Sequence, residues 1–340
     1  MKKIQMLLLS AALAFSYQLA LADNSSGWVV GWGYNITGAA TGVASGEYST
    51  GLVIIAGQVL SNATAVAGGI FHGLALKDDG TVVGWGFNRS GQATGFKSSN
   101  SENTNGIVTI NGQVLSNIVA IAAGWTHSLA LKSDGTVIAW GDSESGQTAV
   151  PNGLRDVVAI AAGREHSLAL KKDGTVVGWG KVKMPTGLSN VVSIVATESR
   201  GGLGSWGIDS AVERDGTVNQ WDISNGEMNA LKGLSNVVAI ADAGMGGLLL
   251  ALKNDGSVTG CGRTTNDAPA GLSSIISVAT SGERAPSLAL NKNGEIVSWG
   301  RIGNQRAGVP TGLSNVVSIG AGNIFCLAIT TNRAVADKFR

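Results

Sequence analysis

Residues 119–141 read VAIAAGWTHSLALKSDGTVIAWG, and residues 158–180 read VAIAAGREHSLALKKDGTVVGWG. Residues 65–86, AVAGGIFHGLALKDDGTVVGWG, are a third copy. Self-similarity at a fixed spacing is the signature of a repeat architecture. The pairs that mark the period close at Gly80, Gly135, Gly174, Gly216, Gly256 and Gly294, so the unit is about forty residues long.

Each copy has the alternation and β-branched content of strands and lacks the 3.6-residue spacing of a helix. VVAIAA is a first strand and HSLALK a second. An Asp-Gly pair, expected to form a two-residue turn with both residues at positive φ, leads into TVVGWG. A weaker fourth strand is expected around Gly91-Gln92 and Gly146-Gln147. Four antiparallel strands in about forty residues describe a propeller blade.

Counting halves gives the number of blades. The Trp-Gly half occurs seven times, at Trp32, Trp85, Trp140, Trp179, Trp221, a Cys261 variant and Trp299. The VVAIAA half also occurs seven times, the last copy beginning at Val316. The first Trp-Gly half (27–33) has nothing before it to pair with, and the last VVAIAA half (316–329) nothing after it. The expectation is an all-β, seven-bladed β-propeller of four-stranded antiparallel blades. The N- and C-terminal segments would share one blade and leave no sheet edge open. No polar end caps of the kind a solenoid requires are visible.

Composition agrees with a packed repeat. Gly is 50 of 340 residues without a Gly-X-Y triplet, and hydrophobic residues make up 44%, which excludes collagen and a disordered chain. The formal charge is +1 with no Lys/Arg cluster, so neither nucleic acid nor an anionic membrane is an expected partner. Lys2 and Lys3, an apolar run to about Phe15, and Ala20-Leu21-Ala22 read as a secretory signal cleaved before Asp23. The expected mature domain is 23–340, secreted or periplasmic, monomeric and without a membrane span. Cys261 and Cys326 fall in different blades, too far apart to bridge, so both should be free thiols.

Candidate chemistry dissolves into scaffold. His72, His127 and His166 occupy one repeat slot, and equivalent slots diverge around a ring, so structural hydrogen bonding is favoured over metal binding. The repeat tryptophans read as packing, and the turn aspartates as turn formers rather than calcium ligands. No phosphate loop, nucleophile elbow or paired carboxylates are present, so no catalysis, metal or cofactor is expected.

The motif G-x-x-H-S-L-A-L-x-x-D-G-x-V-x-x-W-G, with a trailing Gly-Gln, resembles the repeat of the regulator of chromosome condensation family over residues 27–329. That family's founding member is a nuclear exchange factor for a small GTPase, a context an exported chain departs from. In compartment and in FHGLALK (71–77), the chain is similar to secreted propeller-type β-lactamase inhibitor proteins. The resemblance implies a non-catalytic ring that binds protein through loops on one face.

Variable residues in the loop between first and second strands supply candidates for that face. They are Phe71, Trp125, Arg164, Arg200, Trp206 and Arg284, with Trp206 and Arg200 in a Gly-rich expansion at 198–207. Aromatic and Arg side chains are the types that anchor protein interfaces. The alternative packs Phe71 against its neighbouring blade and folds Trp206 onto its own loop. Two long connections, 34–61 and 87–116, end alike in GLVIIAGQVLSN and GIVTINGQVLSN. The second reads as a hairpin turning at Asn111-Gly112, and both favour a structural role. The expected function is protein binding. Inhibition of a β-lactamase-like enzyme, a carbohydrate-binding or enzymatic channel, and exchange-factor-like activity are the alternatives.

Overall fold

The computed structural model describes residues 25–97, 103–197, 208–222, 228–230, 234–242, 249–261, 268–280, 286–302, 305–306 and 308–340. Seven antiparallel blade sheets are present among them. Blade 1 joins the chain ends, with strands Val316–Gly322, Phe325–Thr330, Trp28–Tyr34 and Tyr48–Leu52 in that spatial order. Blade 2 contains Ala63–Gly68, His72–Lys77, Val82–Phe87 and Asn103–Ile107. Blade 3 contains Ile118–Ala123, His127–Lys132 and Val137–Gly141; blade 4 contains Val157–Ala162, His166–Lys171 and Val176–Gly180. Blade 5 begins with Val191–Val195 and Ile208–Glu213, blade 6 with Val237–Asp242 and blade 7 with Ile275–Ala279.

The first strand of every blade touches the first strand of the next, and that of blade 7 returns to that of blade 1. The ring is closed where the sequence leaves two halves unpaired. Trp28 stands opposite Thr330 and Trp32 opposite Cys326. Buried clusters lie between successive blades, because each strand face carries Ala, Val, Leu or Ile toward a neighbouring sheet.

Two local expectations are corrected. Gly91 and Gly146 are not in fourth strands. Both have left-handed backbones (φ 86° and 77°) that turn the chain. Where a fourth strand exists in blades 1, 2 and 5 it lies further along the connection, and blades 3, 4, 6 and 7 show three strands among the described residues. The repeat hairpins are also longer than two residues. Lys77 N donates to Thr81 O (2.9 Å), enclosing Asp78, Asp79 and Gly80, and of these only Gly80 is left-handed. This is the three-residue loop with a terminal glycine, in which Asp79 Oδ1 accepts from Thr81 N at 2.9 Å. The two-residue turn with both residues left-handed occurs instead at Asn111-Gly112, and again at Ala56-Gly57.

The paired hairpins are built into the wall. Ala56 N of the first donates to Asn105 Oδ1 on the outer strand of blade 2 (3.0 Å), and Asn105 Nδ2 donates to Gly42 O (2.9 Å). Ile54, Ile55, Val59 and Ile110 pack against buried clusters.

Candidate partner-binding face

First strands and Trp-Gly strands end on one side of the ring, and the Asp-Gly turns lie on the other. On the first side, the chain descends from each loop into the His slot. His72, His127 and His166 are buried. His72 Nε2 lies 3.0 Å from Ser128 Oγ of blade 3, and Ser128 Oγ donates to Gln92 O at 2.8 Å. The hydroxyl's single proton is thus used, so it accepts from His72, which carries its own proton on Nε2. Trp140 Nε1 donates to the same Gln92 carbonyl at 2.9 Å. The set repeats one blade on: His127 Nε2 to Ser167 Oγ (2.9 Å), then Ser167 Oγ and Trp179 Nε1 to Gln147 O (both 2.9 Å). Between blades 4 and 5, Asp209 Oδ1 replaces the hydroxyl and accepts from His166 Nε2 (3.1 Å) and Thr197 N (3.0 Å).

Burial pushes His72 and His127 down from 6.5 to about 3, because a desolvated imidazolium is unfavourable. The slot glycine is required by this packing: a Cβ on Gly124 would stand 2.6 Å from His127 Cε1. The three histidines are structural links between blades, as the divergence of their slots implies. The trailing Gly-Gln, expected as strand, instead delivers the carbonyl that receives the neighbouring tryptophan.

These links fix the loops above them, which also bond to one another. Trp125 N donates to Gly163 O (3.2 Å), Arg164 N to Thr197 O (3.0 Å) and Asn323 N to Gly69 O (3.2 Å). Trp125 and Arg164 therefore meet across blades 3 and 4, with the guanidinium carbon 3.5 Å from the centre of the indole ring. Arg164 Nε lies 3.3 Å from Glu165 Oε1, and Lys181 Nζ lies 3.0 Å from Glu165 Oε2. The Lys181 ammonium, bonded to Glu165, holds that carboxyl below its ordinary range. Phe71 stacks edge-to-face on Phe87 of its own blade, with centroids 6.3 Å apart, and both are half-buried. Arg200, Trp206 and Arg284 lie outside the described residues.

The residue after each Trp-Gly, which the repeat pattern does not single out, also belongs to this face. Phe87 N, Asp142 N and Lys181 N donate to Phe71 O, Thr126 O and Glu165 O. Their side chains are cross-strand neighbours of the loop residues: an aromatic pair, a Thr126–Asp142 hydrogen bond (3.3 Å) and the Glu165–Lys181 ion pair. The signal was present, since a residue one step beyond a paired strand end continues the pairing.

The family model for the regulator of chromosome condensation (RCC1) repeat matches residues 63–92, 118–147 and 157–181. These three segments are RCC1 repeats, and they lie in blades 2, 3 and 4 of the propeller. In solved structures it is similar to yeast RCC1 (Prp20) crystallised with Kap60, at 19% identity, TM-score 0.69, covering 94% of this chain and 96% of that one. A second Prp20p structure from Saccharomyces cerevisiae, whose description concerns binding to Gsp1p and histones, gives 19% identity, TM-score 0.68, and 96% and 95% coverage. Human WBSCR16 gives 20% identity, TM-score 0.64, and 89% and 99% coverage. No curated protein sequence matches the chain significantly. At these identities the propeller fold is what is shared. Among the described residues no helix is long and apolar enough to cross a membrane.

Proposed function

We propose that this propeller is an exported, non-catalytic binding module whose protein partner docks on the side bearing the first-to-second-strand loops. The observation that carries the reading is the Trp125–Arg164 stack, in which two neighbouring blades present an aromatic ring and a guanidinium at positions the repeat leaves free. Phe71 extends the surface to blade 2, and Arg200, Trp206 and Arg284 extend it on sequence grounds. The histidines, the side chains most readily turned to acid–base work, are committed to the scaffold beneath. Export rests on Lys2, Lys3, the apolar run and Ala20-Leu21-Ala22. The mature mass of the secreted form, beginning at Asp23, tests that part.

The binding experiment is capture of the partner from the producing organism's envelope, followed by calorimetry with variants. Phe71→Ala, Trp125→Ala and Trp206→Ala are each expected to weaken binding by about 1–4 kcal/mol while the propeller still melts as one cooperative unit. Binding lost on deleting residues 109–114 but indifferent to Trp125→Ala would move the site to the hairpins and refute the choice of face.

A further inference from the structure

Blade 1 differs from the others in one covalent respect. In blades 2 to 7 a turn links the second strand to the third, but in blade 1 these strands come from opposite ends of the chain. The sequence at the missing turn is informative. LALKSDGTV (129–137) corresponds to LAITTNRAV (327–335), with Asn332-Arg333 where Asp134-Gly135 stands. Arg in place of Gly disfavours the left-handed turn residue. The approach to the turn is retained: Thr331 N donates to Asn315 O (3.1 Å) as Ser133 N does to Asn117 O (2.9 Å). The capping is retained too. Asn332 Oδ1 accepts from Ala334 N at 3.0 Å, as Asp134 Oδ1 does from Thr136 N at 3.0 Å. Instead of turning, the chain enters the short helix Arg333–Ala336 and the 3-10 turn Asp337–Phe339.

We propose that residues 332–340 are a clasp that substitutes for the missing turn and governs opening of the closing blade. Val335 and Ala336 are buried in one cluster with Val30, Trp32 and Leu52 of the N-terminal strands, and with Leu288 and Leu290 of blade 7. Phe339 packs on the same cluster, and its carbonyl oxygen lies 3.3 Å from where a Cβ on Gly51 would sit. The segment thus rests on both N-terminal strands and on the blade beside them, joining ends that no peptide bond joins.

Cys326 reports on this joint. It is a free thiol, buried in that cluster opposite Trp32. In a Cys261→Ala background, the test is labelling of Cys326 by a small aromatic disulfide under native conditions, in the full chain and in a chain ending at Thr331. The clasp predicts labelling about a hundredfold faster without it, with faster amide exchange confined to residues 28–34, 48–52 and 325–330. Equal labelling rates would overturn the proposal, as would exchange rising equally in blades 3 and 4. If the truncated chain does not fold, Val335→Ala in the full chain decides: labelling about fivefold faster supports the clasp, and an unchanged rate overturns it.

Discussion

The joint between blades 3 and 4 and the joint between blades 1 and 2 solve the same slot in opposite ways. In the first, His127 meets Ser167, and the hydroxyl and an indole share one carbonyl. In the second, the slot holds Phe325, buried and apolar, and the position matching Ser167 is Gly73. Trp85 Nε1 still donates to a carbonyl of the preceding blade, Ala39 O at 2.9 Å. The indole anchor is common to both joints, while the His–Ser pair of the first is replaced as a unit by Phe and Gly in the second. Half a pair would leave a buried polar atom unsatisfied, whereas removing both partners need cost little.

The largest effect is expected at the apolar joint. Deleting residues 27–33 removes the strand opposite Phe325–Thr330, exposes a sheet edge and should cause aggregation or loss of the cooperative melt. A monomer with an unchanged melting temperature would contradict closure through the chain ends.

Acid separates the polar joints from the apolar one. His72 and His127 titrate near 3 when folded and near 6.5 otherwise, so the unfolded chain binds more protons between those values. Their contribution is fully present above pH 6.5 and is lost as pH falls toward 3. Urea unfolding at pH 5 should give a stability lower than at pH 7 by about 2 kcal/mol per histidine. Replacing His127 by Phe should remove its share of that dependence and leave that of His72, and an unaltered pH profile would show that the buried imidazole is not its source.

His127→Ala should cost about 1–3 kcal/mol, since Ser167 loses its donor and a space opens beneath the loop. Converting the joint wholesale, with His127→Phe and Ser167→Gly together, imitates Phe325 and Gly73. The double variant should be more stable than the sum of the single changes predicts, with a coupling of about 0.5–3 kcal/mol in a double-mutant cycle. Strict additivity would mean that the two slots are independent. Arg164→Ala removes a half-buried guanidinium from the Trp125 ring and should lower stability by about 1–2 kcal/mol, between the ranges of an exposed and a desolvated cation–π contact.

Ring closure was legible because unpaired halves at the two ends are a count, and a count survives ignorance of geometry. The histidine slot was legible for a similar reason: equivalent positions cannot converge. The turns were misread because Asp-Gly suits two loop lengths, and only the backbone shows that Gly80 alone is left-handed. Gly91-Gln92 was misread because a Gln whose main-chain carbonyl does the bonding leaves no mark on side-chain pattern. The meeting of Trp125 with Arg164 depends on how adjacent loops lean, a relation between blades that no repeat in one blade encodes. The helix Arg333–Ala336 was missed although Asn332-Arg333 breaks the Asp-Gly rule in plain view.

The central claim is that the loops fixed by these joints form the binding face. Amide exchange of the propeller with and without its captured envelope partner tests it most directly. Protection concentrated at residues 69–72, 124–127 and 163–166, with 56–59 and 109–114 unaffected, is the predicted result. Protection at the two hairpins or the Asp-Gly turns, with Trp125 and Arg164 exchanging as in the free protein, would contradict it.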